Sequence, residues 1–595
     1  MSKDLTDNYL RAKPAFGDAL IFRTKATLLQ MNRAAYSALS NETVRFPIGN
    51  RLSGEAIIGQ SVTRLWTDSD DAEKHLVAGK VHNLRIAIRR LNGAEIPAGG
   101  VFSFWAQLGR PGRRRGYVAG RELREGCIIP TVGGGLCQLS NALYDAALGA
   151  GFEIIERHAH TQVIPGSLAE VARDATVFWN YVDLRFRSAW PYRIEATMDA
   201  NLLTVRFRCS VGPDKRRAKG SVRKAVTPAV SAAPQSCTTC NVRDCFRHVE
   251  HKAADFGSSA FLVDEYYPEF NSYVLGVRRE RDLLAVPLNG KRFGKGNYAW
   301  STEGFRDVRQ SRLVTMFRAY QSGKLATQGA ARQRSLLAGS ERLARSYSAL
   351  LEYDVTHVTV SQNLLPFLWR DGHLGGRTFD VLMTALPLAH LHERLDRAFA
   401  LHRESKTLAD FRADEWLVRA ESEALQHAHR LITPHSEIAA LYRDKVLMLD
   451  WAVPAKAKKT SRQRLAVCDA KIAFPAPTAG RKGAYELRAA VEGLGVHLVT
   501  VGAQLEGVDF WRGMSVEHRT GNEDWLDGVD LVVLPAFVEH KPRRLLEAVA
   551  CGIPVIASTA CGLENIKGVI NVPAGDVAAL REEIRRAVSA TKKRD

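Results

Sequence analysis

Leu531-Val-Val-Leu-Pro535 is followed by Glu539-His-Lys-Pro-Arg-Arg-Leu-Leu-Glu547 and then by Ala-Val-Ala-Cys-Gly552-Ile-Pro-Val-Ile-Ala-Ser558. The order is a buried strand ending at a proline, a polar loop, a helical pattern over Arg543 to Ala550, and a second buried strand. Two acids stand eight positions apart, Glu539 in the loop and Glu547 in the helix. Ligands of doubly wound sheets bind at the carboxyl ends of strands, where this loop lies. A carboxylate there accepts hydrogen bonds from sugar or ribose hydroxyls. The helix N-terminus, with Lys541, Arg543 and Arg544, is placed to offset phosphate charge.

Working outward, Leu498-Val-Thr-Val-Gly502 and Val355 to Val360 are further strand runs, and 260–263 is a short apolar one. Helical patterns separate them, including one over 421–431. Such alternation predicts a parallel sheet with helices on both faces from about residue 258 onward.

The stretch from Glu539 to Ser558 resembles the nucleotide-sugar half of the GT-B glycosyltransferases of group 1. It matches their E-x7-E motif and the trailing L-E-A-x-A-x-G-x-P-V-x-A-S, and Gly575-Asp576 matches the Gly-Asp before their last helix. The resemblance implies a GT-B pair of Rossmann-like α/β domains, with 258–450 on the acceptor side and 451–595 on the donor side. It implies transfer of a sugar from a nucleotide-sugar donor to a cell-envelope or polysaccharide acceptor, usually with retention and without a catalytic metal. Glu539 would then bind the donor sugar and Glu547 the ribose. Lys482, in Gly480-Arg-Lys-Gly483, would meet the donor phosphates, with Arg481 beside it. His390 and His392 stand where the family often has an acceptor-side histidine. Two departures are visible. His540, Lys541 and Pro542 replace the family's glycine and aromatic, and Asp264-Glu-Tyr-Tyr-Pro-Glu-Phe270 stands in place of its Gly-rich loop.

In the N-terminal half, Gly133-Gly-Gly-Leu-Cys137-Gln-Leu-Ser140 opens a helical pattern after a triple glycine. His158, His160 and Asp174 follow. Residues 175–182 and 184–186 look like strands, and 202–208 alternates with period two. A cysteine at a helix N-terminus has a lowered pKa, and a histidine beside it activates it further. Cys137 with His158 or His160, and Asp174 as orienter, is therefore a candidate nucleophilic dyad. The competing reading is a structural cysteine at a glycine turn. The stretch resembles the VanW family from about Ile96 to Ile194, including Val101-Phe-Ser-Phe104 and Gly116-Tyr117, and implies a mixed α+β domain over 81–212 behind an extension of residues 1–80. The alternative to the transferase is a VanW-like thiol enzyme, or a non-catalytic protein that binds envelope precursors.

Between the two halves, residues 213–235 are rich in Lys, Arg, Ser, Ala and Pro and read as a linker within 213–257. Cys237-Thr-Thr-Cys240-Asn-Val-Arg-Asp-Cys245-Phe-Arg-His248 follows. The C-x2-C-x4-C-x2-H spacing supplies the four N/S ligands, three cysteines and a histidine, that a structural zinc needs. An iron–sulfur cluster, or no metal, is the rival.

The whole chain has 595 residues, 46% apolar and 25% charged, which excludes a chain disordered throughout. Its formal net charge of +19 favours anionic partners, among them phosphorylated donors and an acidic membrane surface. No nucleic-acid fold is recognisable beside the Cys/His cluster, so nucleic acid is not an expected partner. No run of 18 apolar residues and no signal-like start is present, so the expected location is cytoplasmic, with peripheral contact at the inner face of the membrane.

Overall fold

The computed structural model describes residues 44–66, 73–124, 127–160, 168–179, 181–210, 256–325, 329–409, 412–455, 470–519 and 524–592, with isolated positions between 24 and 31. The Cys237–His248 cluster and the linker before it lie outside the described residues. The chain divides into two compact units. The first runs to Ser258 and includes Leu351–His357 and Asp371–Thr378; the second holds the rest.

In the first unit a four-stranded antiparallel sheet has the order Ala56–Arg64, Leu202–Cys209, Tyr192–Met198, Ala94–Ile96. Leu202–Cys209 alternates half-buried and buried residues along its whole length, as the period-two pattern predicts. The helix Cys137–Gly149 packs on the first strand so closely that a Cβ at Gly59 would stand 2.3 Å from the Ala146 carbonyl oxygen. The long helix Lys74–Leu91 is buried along most of its length, and Gly79 lets its backbone meet Ala119 directly. Phe102, Phe152, Phe186, Tyr192 and Phe207 pack into one aromatic core, stacked at Phe102–Phe186 and tilted or edge-on elsewhere. The expected strand over 175–182 does not form. That segment makes only an isolated bridge, Phe178 to Val182, and the strand there is Arg185–Arg187. The backbone of Ala175 and Val177 is bound to side chains of the helix Cys137–Gly149, and the Thr176 amide donates to the His158 carbonyl at 2.7 Å.

The second unit is built on two successive α/β sheets. The first has seven strands in the order Asp307–Gln310, Leu283–Val286, Ser258–Leu262, Val355–Ser361, Thr378–Leu382, Arg430–Thr433, Val446–Met448, parallel on both flanks. The second has six parallel strands in the order Val516–Arg519, His497–Val501, Lys471–Phe474, Leu531–Leu534, Val555–Ser558, Val569–Val572. Numbered along the chain, both begin 3-2-1-4-5-6. The order reverses between the first and fourth strands, which opens a crevice at their carboxyl ends. This is the doubly wound pair expected from the sequence. The helix expected over 421–431 lies earlier in the chain: it spans Glu415–His427, and the next strand already begins at Arg430.

Candidate functional site

Two loops line the crevice of the six-stranded sheet. One leaves Lys471–Phe474 and turns through Gly480–Lys482 into the helix Ala484–Val491; the other leaves Leu531–Leu534 and enters the helix Arg543–Ala550. They touch backbone to backbone. Gly483, at φ +77°, would place a Cβ 2.0 Å from the Pro535 carbonyl oxygen, so only glycine fits. The Arg481 carbonyl accepts from the amides of Phe537 and Val538, at 3.0 and 3.1 Å.

This stitching brings together residues 57 positions apart. The Lys482 ammonium donates to Glu539 Oε2 at 2.9 Å and to the Val538 carbonyl at 3.0 Å. Glu539 Oε1 accepts the Lys541 amide at 2.9 Å. Both side chains keep limited solvent contact, 18% and 13% exposed, so the pair borders the crevice rather than being sealed in the core. Glu547 is exposed on its helix and accepts from the buried Trp525 indole at 3.2 Å. Arg481 is exposed beside Lys482.

The three cations expected to offset phosphate charge are each engaged within the protein. Arg543 forks onto the buried Glu269 at 2.7 and 2.6 Å and lies over the rings of Tyr267 and Trp451. Lys541 pairs with Glu265 at 2.7 Å. Arg544 donates to the Pro475 carbonyl at 2.9 Å, just past the end of a strand. Their partners come from distant loops that a sequence window does not contain. His540, where the family pattern has a small residue, accepts the Leu386 amide at 3.4 Å; burial and the nearby His435 and Lys482 hold it well below the ordinary imidazole range. His435 is itself buried and bonds the Glu539 carbonyl at 3.1 Å.

At the crevice of the seven-stranded sheet the loop after Ser258–Leu262 carries Asp264. Arg318 forks onto its carboxylate at 2.7 and 2.6 Å, and Asn363 donates to it at 2.7 Å. Despite burial, the Asp264 carboxylate holds the Arg318 guanidinium above its ordinary range. This cluster occupies the position expected of a Gly-rich loop. Sequence reading missed Arg318 and Asn363 because neither stands in a motif. His390 and His392 both lie on the helix Leu388–Leu401. His390 is exposed, while His392 accepts the Ala413 amide at 3.1 Å and burial lowers its pKa.

In the first unit His160 and Asp174 do meet. Asp174 Oδ2 lies 2.7 Å from His160 Nδ1 and accepts the His160 amide at 2.6 Å, while Oδ1 accepts from Arg157 at 2.7 Å. Burial opposes ionisation of this carboxylate, but the His160 bonds and Arg157 prevail and lower its pKa. His158 is half exposed, 3.5 Å from Glu156. Cys137 takes a different partner: its Sγ lies 3.7 Å from the Val177 carbonyl oxygen. Burial raises its thiol pKa, opposite to the lowering expected from the helix N-terminus. Ser140 donates to the Ala175 carbonyl and Asn141 accepts the Ala175 amide at 2.8 Å. Three residues of the Cys137 stretch thus hold residues 175–177, and Gln138 ties the same helix to Thr63 and Arg64.

Among the described residues no group of three or more His, Cys, Asp or Glu is arranged to hold a metal, and no helix is long and apolar enough to cross a membrane.

Residues 79–208 match the family of VanW like proteins, and residues 483–590 match the glycosyl transferases of group 1. YoaR of Bacillus subtilis, an uncharacterized protein, is 32% identical over 109 residues, which are 18% of this chain and 35% of YoaR. The vancomycin B-type resistance protein VanW of Enterococcus faecalis is 33% identical over 125 residues, 20% of this chain and 46% of that protein. The matches span less than half of either relative. Sucrose-phosphate synthase of Thermosynechococcus elongatus aligns over 56% of this chain and 90% of its own, at 16% identity and a TM-score of 0.36. HepE of Anabaena, solved with UDP-glucose, aligns over 56% and 91%, at 15% identity and a TM-score of 0.35. The chain carries a VanW-like domain at residues 79–208 and a group 1 glycosyltransferase domain at residues 483–590.

Proposed function

We propose that the protein is a glycosyltransferase that takes its sugar from a nucleotide-sugar donor and passes it to a cell-envelope or polysaccharide acceptor with retention. The observation that carries this reading is the Lys482–Glu539 pair, held at the switch point of the six-stranded sheet. A cation and a carboxylate at that position suit a donor that carries both a diphosphate and sugar hydroxyls. Lys482, with Arg481, stabilises the charge that develops on the leaving diphosphate. Glu539 accepts from donor-sugar hydroxyls, and Glu547 from the ribose. The match of residues 483–590 to the group 1 glycosyl transferases supports the transfer chemistry, since Glu539 and Glu547 both lie inside it.

A screen of nucleotide sugars against the purified chain, reading both binding and turnover, tests the proposal. Saturable binding of one nucleotide sugar with transfer or slow hydrolysis supports it. Binding of none refutes it.

The spacing of Cys237, Cys240, Cys245 and His248 supports a structural zinc that staples the connector, separate from the transfer chemistry. Elemental analysis should find about one zinc, lost when Cys240 and Cys245 become Ser. Iron with inorganic sulfide would assign the cluster differently.

A further inference from the structure

The edge strand Asp307–Gln310 of the seven-stranded sheet leads into the helix Arg312–Lys324, which packs against the helix Gly329–Ser348. Polar residues of Arg312–Lys324 turn inward. Thr315 is buried and donates to the Pro287 carbonyl at 2.9 Å, and Arg318 reaches in to fork onto Asp264. A Cβ on Gly339 of the neighbouring helix would stand 2.7 Å from Arg318 Cγ and Cδ, so the two helices meet closely around that stem. These contacts fix the helix about its axis.

The apolar residues are left outside. Leu313, Met316, Phe317 and Tyr320 follow the i, i+3, i+4, i+7 spacing that places them on one stripe. They are 83%, 65%, 45% and 65% exposed. An ordinary surface helix turns such a stripe to the core, so this one is inverted. Single exposed apolar residues need no explanation, but four in one stripe mark a surface that meets something apolar. Phe293, also exposed, extends the patch from the loop before the edge strand: the Arg312 guanidinium lies 5.4 Å from its ring centre.

The rim of this patch is basic. Lys291-Arg-Phe-Gly-Lys295 is exposed throughout, and Arg292 lies over the Phe293 ring. Arg342 lies 4.8 Å from the ring centre of Phe317, and Lys324 is exposed at the end of the stripe. From Lys291 to Arg334 the chain has ten Lys and Arg against two acids, Glu303 and Asp307. Asp307 is itself paired with Arg309 at 2.6 Å.

We propose that this helix face and the Lys291–Lys295 loop dock the protein onto a bilayer of acidic phospholipid. The helix lies in the plane of the membrane, its apolar stripe enters the boundary between headgroups and acyl chains, and the basic rim meets the headgroup phosphates. Charge selects this occupant over a second copy of the chain, since two such faces brought together would oppose their like-charged rims. The same helix carries Arg318 into the crevice of the seven-stranded sheet, so docking brings the rim of that crevice to the lipid. If the second unit transfers sugar as proposed, a lipid-borne acceptor comes within reach; docking itself does not depend on that reading.

The test is flotation of the full chain with vesicles of phosphatidylcholine, with and without phosphatidylglycerol. It is joined to hydroxyl-radical footprinting, read at Met316 by peptide mass spectrometry. Met448, exposed on the strand at the opposite edge of the same sheet, is the internal reference. The chain should float with the acidic vesicles and not with the neutral ones, and raised salt should weaken the binding. Acidic vesicles should slow oxidation of Met316 by roughly threefold or more relative to Met448. Leu313→Gln combined with Met316→Gln should lower vesicle binding roughly tenfold or more with an unchanged circular dichroism spectrum, since both side chains are exposed. No flotation, equal flotation with neutral vesicles, or flotation that leaves Met316 unprotected overturns the proposal. Protection of Met316 that rises with protein concentration in the absence of vesicles assigns the face to a second copy and overturns it as well. None of these results bears on nucleotide-sugar binding, which is measured without lipid.

Discussion

Lys482 and Glu539 form an ion pair at 2.9 Å across the two loops that close the crevice of the six-stranded sheet. Each is the other's counter-charge. A nucleoside diphosphate approaching Lys482 must therefore compete with Glu539.

Glu539→Gln removes that competition but also removes the acceptor for sugar hydroxyls. Nucleoside diphosphate should bind as tightly as to wild type, or up to about tenfold tighter, corresponding to about 1.4 kcal/mol. Transfer should fall by roughly two orders of magnitude or more. Calorimetry beside a transfer assay checks both arms. Loss of nucleoside diphosphate binding would show that Glu539 holds the nucleotide and not the sugar.

Glu547 is exposed, and its bond with Trp525 at 3.2 Å contributes little to the fold. Losing a charged hydrogen bond to ribose costs about 1.5–3 kcal/mol. Glu547→Ala should weaken nucleotide binding roughly tenfold or more with an unchanged denaturation midpoint. Equal affinity for every nucleotide that the wild type binds would remove Glu547 from the site.

Arg543 belongs to the architecture. Glu269 is fully buried and is held by Arg543 and by the Ala452 amide, at 2.8 Å. Arg543→Ala leaves that carboxylate with no counter-ion and should destabilise the chain by about 3 kcal/mol. Arg543→Ala combined with Glu269→Gln should recover part of the loss. Urea denaturation of the single and double variants measures this, and an additive pair would contradict the coupling.

Acid should unfold the first unit early. His82 is lowered to about 3 and His373 to about 4, burial being the larger cause in each and neighbouring arginines the next. Both values lie below the unfolded value of 6.5, so the unfolded chain takes up protons first as the pH falls. The stability these histidines contribute is complete above about pH 6.5 and is lost from there down to about pH 4 for His373 and about pH 3 for His82, with a slope of roughly 1 kcal/mol per pH unit per histidine. Denaturation midpoints taken stepwise from neutral to about pH 5 give the slope, and His82→Gln should reduce it. A flat profile would mean that these imidazoles are not held neutral.

Cys137 should react slowly with iodoacetamide, because burial raises its thiol pKa and Val177 engages the sulfur. His160→Ala should leave that rate unchanged, since His160 is committed to Asp174. Rapid labelling that depends on His160 would restore the nucleophilic reading.

Local pattern was enough for the elements that depend on local pattern. The strand at 531–534, the helix Arg543–Ala550 and the strand at 555–558 are legible because β-branched runs, a helical period and a proline fall within a few residues of one another. The meeting of Lys482 with Glu539 could be anticipated only through resemblance, since 57 positions separate them.

What the sequence determined by itself was the alternation of strands and helices, the two acids at their spacing and the glycine turn before Cys137. The tertiary structure decided which charges are available. Lys541, Arg543 and Arg544 look alike on paper, but each is bound by a carboxylate or carbonyl from a distant loop. It also set the thiol of Cys137, where enclosure in the core outweighs the pull of the helix end. The side chain of Lys80, inconspicuous in a helix, ends up buried with its stem over Gly135. Desolvation and pairing depend on neighbours in space, and a linear pattern does not contain them.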